Sequence, residues 1–148
     1  MESTTLAEAW HVVVPLVPWL VPLLVLVAVA TWPMPGRGPR SSRRDEYRSF
    51  KFENRRIVMA RANGRCEAAT FFIWARCRDK ATEVDHIYPW SKGGPTIPSN
   101  GQALCHSHNR AKSNTTPAWW YVLGLERRRR TYVEDPSLVR VSASYWSG

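Results

Sequence analysis

The first fifth of the chain separates by hydrophobic pattern alone. From Trp10 to Trp32, 23 consecutive residues carry no formal charge (WHVVVPLVPWLVPLLVLVAVATW). A helix of that length would rise about 35 Å, enough to cross a bilayer core. Trp10 and Trp32 stand at its two ends, where interfacial aromatics sit. Pro15, Pro18 and Pro22 would kink the first half, and Leu23–Ala30 is the cleanest part. The expectation is a single transmembrane helix over 10–32 behind a short tail, 1–9. Arg37, Arg40, Arg43 and Arg44 follow at once, which by the positive-inside rule leaves the rest of the chain cytoplasmic. An uncleaved extension is a second reading of the same residues. A cleaved signal is a third, because Ala28-Val29-Ala30 resembles a cleavage site, although Glu2 and Glu8 precede the run and no basic residue does. A translation start at Met34 would give a soluble cytoplasmic product.

After the apolar run the pattern turns polar. Residues 33–44 (PMPGRGPRSSRR) read as a flexible basic linker. Helix formers dominate 45–62, with an apolar stripe through Tyr47, Phe50, Ile57, Val58 and Ala60, and Asn63-Gly64 is a stop. Phe71–Trp74 (FFIW) is a short strand or an insertion. Ala81–Ile87 reads as a strand, and Gln102–Leu104 as its hairpin partner across a Gly93-Gly94 loop. A helix begins near Ser107, its expected cap, and another opens at Thr116-Pro117, with Trp119 and Trp120 covering the core. Residues 132–148 form a tail, frayed from Ser142 onward.

Charge narrows the partners. Residues 34–148 hold 21 basic and 10 acidic side chains, a balance of +11. So basic a small domain suits an anionic polymer or an anionic membrane surface. The three cysteines, Cys66, Cys77 and Cys105, argue against a closed disulfide framework and for a metal site.

The chemistry gathers in Val84–Lys112. Phosphodiester hydrolysis needs a group to activate water, a positive centre for the phosphoryl charge, and a grip on the strand. His86 suits the first role. Asp85 offers a hard oxygen to Mg²⁺ or a similar ion. Neighbouring strand residues point to opposite faces, so these two can act together only where the strand ends or bends. Asn100, at the loop end, can cap backbone groups and hold the loop shut. Cys105-x-x-His108 has metal-knuckle spacing and, with Cys66 and Cys77, makes a Cys₃His set for structural Zn²⁺; His106 is an alternative ligand. Asn109 can offer an amide oxygen to the catalytic metal, and Arg110 and Lys112 can reach phosphates. Arg127, Arg128, Arg129 and Arg130 are a second candidate phosphate clamp, or else a solvated helix end.

Taken together, Asp85-His86-Ile87 with Pro89, Gly93-Gly94, Asn100, Leu104-Cys105 and His108-Asn109-Arg110 with Lys112 resemble the HNH endonucleases, the ββα-metal nucleases. The resemblance covers about 65–114. It implies His86 as general base, Asp85 as catalytic-metal ligand, Asn100 as the residue that fixes the loop, and Asn109 as a second metal ligand. Three positions depart from the common pattern. Asn109 stands where many members have His, which favours Mg²⁺ or Mn²⁺ over a softer ion. Cys66 and Cys77 are separated by ten residues where a tight C-x-x-C is usual. The second pair ends in His108 in place of Cys.

The expected architecture is a small α+β domain over 45–131, a hairpin and helix around a metal with a zinc knuckle. The expected activity is metal-dependent DNA cleavage with no small-molecule cofactor. By resemblance the products carry a 5′-phosphate and a 3′-hydroxyl. The alternatives are a non-catalytic zinc-stabilised DNA-binding module at the membrane, and a membrane-anchored protein whose basic domain meets lipid or a partner.

Overall fold

The computed structural model describes residues 14–70 and 75–144 and divides into two units at Trp32/Pro33. In the first, a single turn of 3₁₀ helix at Val14–Leu16 leads into α1, Val17–Thr31. Thr31 closes its end by donating to the Val27 carbonyl at 2.8 Å. None of its described residues is buried. At 15 residues α1 rises only about 22 Å, less than a hydrocarbon core of about 30 Å. Among the described residues no helix is long and apolar enough to cross a membrane, so the expected span over 10–32 is not supported. Three prolines fall in or beside this helix. Pro15 falls in the preceding turn, Pro18 in the first turn, and Pro22 removes a donor from the interior. Residues 10–13 of the expected span lie outside the described residues.

The second unit is α+β. Its hairpin pairs β1 (Glu83–His86) antiparallel to β2 (Gly101–Leu104), in the register Glu83↔Leu104 to His86↔Gly101. Before it comes α2 (Phe52–Arg61), and after it α3 (His106–Lys112) and α4 (Trp119–Arg129). All four residues of β2 are buried. Gly101 lets α2 approach, since a Cβ there would lie 2.6 Å from Val58 Cγ2.

The core is small and split. Ile87, Tyr88, Val122, Leu125, Val141 and Ala143 form one cluster. Val58, Ala62, Ala81 and Ala103 form another, and the three cysteines a third with Ala68 and Leu104. A fully buried carboxylate binds the parts together. Glu67 accepts from Arg129 Nε at 2.9 Å and Nη2 at 3.0 Å, from Arg61 at 3.3 Å, from the Tyr132 hydroxyl at 2.9 Å and from the Ala103 amide at 3.0 Å. Burial pushes this carboxyl up, but Arg129 and Arg61 outweigh it and hold it down at about 2.

Several local expectations change. The helix expected from 45 begins only at Phe52; 45–51 is an irregular arm with bends at Glu46 and Ser49. Phe50 alone of its aromatics turns inward, while Tyr47 and Phe52 are exposed. The segment 33–44 is not a free linker but is packed on its own unit. Arg37 donates to Glu126 at 2.5 Å and to the Val141 carbonyl at 3.0 Å, and its own carbonyl accepts from Ala143 at 3.0 Å. Those bonds also order Ser142 and Ala143, which are buried, where fraying was expected. Phe71–Trp74 lies outside the described residues.

Candidate functional site

Two clusters flank the hairpin. The first is built by the segment 65–80. Arg65 bridges Lys80 and Ala69 bridges Arg76 in one common register, with Cys66 N–H donating to Asp79 O and Cys77 N–H to Ala68 O, each at 2.9 Å. Cys66 and Cys77 are therefore diagonal neighbours across two paired segments, which is how ten intervening residues still bring them together. Arg65 and Arg76 lace this segment by donating to its carbonyls. Cys105 caps α3, and His108 lies one turn on. The ligand atoms of Cys66, Cys77, Cys105 and His108 all lie within 4.8 Å of one another. His108 Nδ1 is 3.1 Å from Cys105 Sγ and 3.7 Å from Cys66 Sγ. Zn–S and Zn–N bonds at tetrahedral angles place donors about 3.5 to 3.8 Å apart, so the set fits zinc. His106, the alternative ligand, points away to Glu83 Oε1 at 2.8 Å. Burial pushes the Cys66 thiol up to about 12 and raises that of Cys77. Burial also raises Cys105, but hydrogen bonds from Ser107, His108 and Cys66 bring it down to about 7. Ser107, the expected helix cap, makes no cap bond and instead lies 3.2 Å from Cys105 Sγ.

The second cluster is a cleft of about 320 Å³ lined in part by Arg48, Asp85, His86, Trp90 and Lys112. Asp85 and His86 are strand neighbours, yet both reach it, because β1 ends at His86 and the chain turns through Ile87 and Tyr88. Asn100 holds that turn. Its Oδ1 accepts from Tyr88 N–H at 2.9 Å, and its Nδ2 donates to the carbonyls of Tyr88 at 3.1 Å and Pro95 at 2.9 Å. Its own carbonyl accepts from Ile87 N–H at 2.7 Å. Gly94 is required here, since a Cβ would sit 1.8 Å from the Tyr88 oxygen. Gly93 adopts φ +85°, and a Cβ there would meet the Ser41 oxygen at 2.0 Å.

His86 is 5% exposed, its ring centroid 4.6 Å from that of Phe50. Burial lowers it to about 4, so it is neutral at pH 7. Its Nε2 lies 2.9 Å from Thr96 Oγ1. On the other face of β1, Glu83 and Asp85 lie together toward α3. Lys112 donates to Asp85 Oδ2 at 2.8 Å, and Asn109 Nδ2 donates to Glu83 Oε2. The hydrogen bond from His106, with help from Asn109, holds the Glu83 carboxyl below its usual range. Asn109 thus spends its amide nitrogen on Glu83 and keeps its oxygen as a donor atom.

The basic residues divide. Arg110, Arg127 and Arg130 are exposed. Arg128 and Arg129 are buried, and Arg129 is spent on Glu67 and the Gly101 carbonyl. This corrects their place in a phosphate clamp. The helical repeat puts them on the inner face with Val122, Leu125 and Glu126. Lys112, expected at a phosphate, is paired with Asp85. Sequence reasoning missed two residues of the cleft, Arg48 and Trp90, and the buried Thr96 beside His86. The Pro89-Trp90 step beside Asp85-His86 was the available signal for one of them; Arg48 and Thr96 carried none.

Residues 74–115 match the family model of the HNH endonucleases. The match contains Asp85, His86, Asn100, Asn109 and three of the four zinc-type donors, and it leaves out Cys66, Glu67 and the arm 45–51. No curated protein and no solved structure matches the chain.

Proposed function

We propose that this protein is a metal-dependent DNA endonuclease with His86 as its general base. The observation that carries the reading is the cleft that holds Asp85 and His86 side by side at the end of β1. A neutral, buried imidazole can take a proton from water. The water oxygen bonds to phosphorus as the P–O3′ bond breaks, giving a 5′-phosphate and a 3′-oxygen that is protonated from solvent. Asp85 and Asn109 offer hard oxygens for Mg²⁺ or Mn²⁺. When bound, that ion supplies positive charge for the phosphoryl oxygens and the leaving group. Asn100 keeps the loop closed around His86. Arg48, Arg110, Arg127 and Arg130 are the exposed cations for the strand's phosphates. Zn²⁺ held by Cys66, Cys77, Cys105 and His108 joins the 65–80 segment to α3 as a structural pin.

One observation favours a second reading. Lys112 already neutralises Asp85, as a DNA-binding module without a catalytic ion would require. Supercoiled-plasmid nicking by the full chain with Mg²⁺ or Mn²⁺ separates the two. Cleavage that EDTA stops, and that His86→Ala lowers by about 10²-fold or more while still folding, upholds the endonuclease. Binding of DNA and zinc with no cleavage of any DNA form points to the module.

A further inference from the structure

We propose that Thr96 is a positioning residue that fixes the tautomer of His86, holding the ring proton on Nε2 and leaving Nδ1 as the basic nitrogen. The inference rests on the reading of His86 as general base and follows from counting protons. Thr96 Oγ1 has two polar neighbours, His86 Nε2 at 2.9 Å and the carbonyl oxygen of Tyr47. The hydroxyl has one proton, and the carbonyl has none. If that proton went to Nε2, the Tyr47 oxygen and Thr96 Oγ1 would face each other with lone pairs only. With the proton on the Tyr47 side, every contact is satisfied once Nε2 carries its own hydrogen and donates it to Oγ1. In a neutral ring Nδ1 is then the lone-pair nitrogen. Nδ1 has no hydrogen-bond partner among the described residues, and the ring lines the cleft.

Thr96 is itself held from three sides. Its amide donates to Asp45 Oδ2 at 2.9 Å, while Asp45 Oδ1 accepts from Tyr47 N–H at 3.0 Å. Its carbonyl accepts from Asn54 Nδ2 at 2.9 Å. The arm 45–51, outside the matched family segment, therefore sets which nitrogen of the base is available. A ring turned to the other tautomer would present a proton, not a lone pair, to the attacking water. A histidine base caught in the wrong tautomer loses up to about 10⁴ in rate.

The test is a long-range ¹H–¹⁵N correlation spectrum of the ¹⁵N-histidine-labelled full chain at neutral pH. His86 is expected to show a protonated Nε2 and an unprotonated Nδ1. Thr96→Val, which keeps the shape and removes the hydroxyl, is expected to mix or reverse that pattern. It should also lower kcat at least about tenfold with little change in KM, and Thr96→Ser should restore both. A wild-type ring protonated on Nδ1 overturns the proposal, and so does a Thr96→Val ring with the wild-type pattern. If Thr96→Val does not fold, the wild-type spectrum and that of Thr96→Ser still decide. Should the expected ring pattern stand while His86→Ala cuts as wild type does, the general-base reading fails and the control of the ring by Thr96 does not.

Discussion

Glu67 and Asp85 are both carboxylates paired with cations, and they differ in what is left over. Glu67 is fully buried, and each of its oxygens accepts at least two hydrogen bonds, from two arginines, a tyrosine and an amide. Nothing further can bind to it. Asp85 has a side chain 31% exposed, Lys112 bonded to its Oδ2, and a cleft in front of it. The first is a bolt that joins the ends of α2 and α4 to β2. The second is an anion with spare capacity. Two acids of one sequence thus differ, one closed and one open to a further ligand, through the number of partners that the fold brings to each.

Substitution should pull the two apart. Glu67→Gln leaves Arg61 and Arg129 buried against a neutral amide, and a broken buried pair costs about 3–5 kcal/mol. Chemical denaturation is the measurement, and a loss below about 1 kcal/mol would mean that the cluster is not the bolt described. Acid gives the next effect. Glu67 titrates near 2 when folded against an ordinary 4.5. Its contribution is present above the unfolded value and is lost as pH falls from about 4.5 toward 2, on the order of 3 kcal/mol in full. Stability followed by denaturant midpoint across that window should therefore decline, and the decline should be absent in Glu67→Gln. Asp85→Asn should change stability by no more than about 1 kcal/mol, since its ion pair is partly exposed. Cleavage and Mn²⁺ binding should both be lost, as paramagnetic relaxation of water would report. The smallest effect on folding belongs to Lys112→Ala, about 0.5 kcal/mol or less. If the ammonium competes with the ion for Asp85, Mn²⁺ should bind this variant several-fold more tightly; weaker binding would make Lys112 a support of the site.

The ordering of motifs made the hairpin, α3 and the Asp85-His86 pair of the cleft legible. Strand alternation and a Gly-Gly loop are local signals, and Asp85, His86 and Asn100 sit within them. The Cys₃His grouping was legible from residue type, though the ten-residue interval became intelligible only through the pairing of 65–69 with 76–80. Glu67 was illegible. A lone Glu after a cysteine gives no sign that Arg61, Arg129 and Tyr132 will converge on it from two separate segments. The net charge misled for the same reason. Arg37, Arg61, Arg65, Arg76 and Arg129 bond to carbonyls or buried acids of their own chain, and Arg61 and Arg129 are buried, so the total of +11 counts cations that the fold itself uses. Within the apolar run the α-helix described is Val17–Thr31, with Pro15 in the turn before it and Pro22 inside it, where the backbone lacks a donor that composition does not register.

The bonds between Arg37 and residues 126, 141 and 143 bear on portability. The matched segment, 74–115, is the recognisable signature, but it is not the piece that could be transplanted whole. Cut there, it would lose one thiol of the metal set, the arm behind His86, and the clasp between the upstream and downstream strands of chain. A graft that keeps the chemistry must carry roughly 33–144, so the inheritable unit is more than twice as long as its own signature.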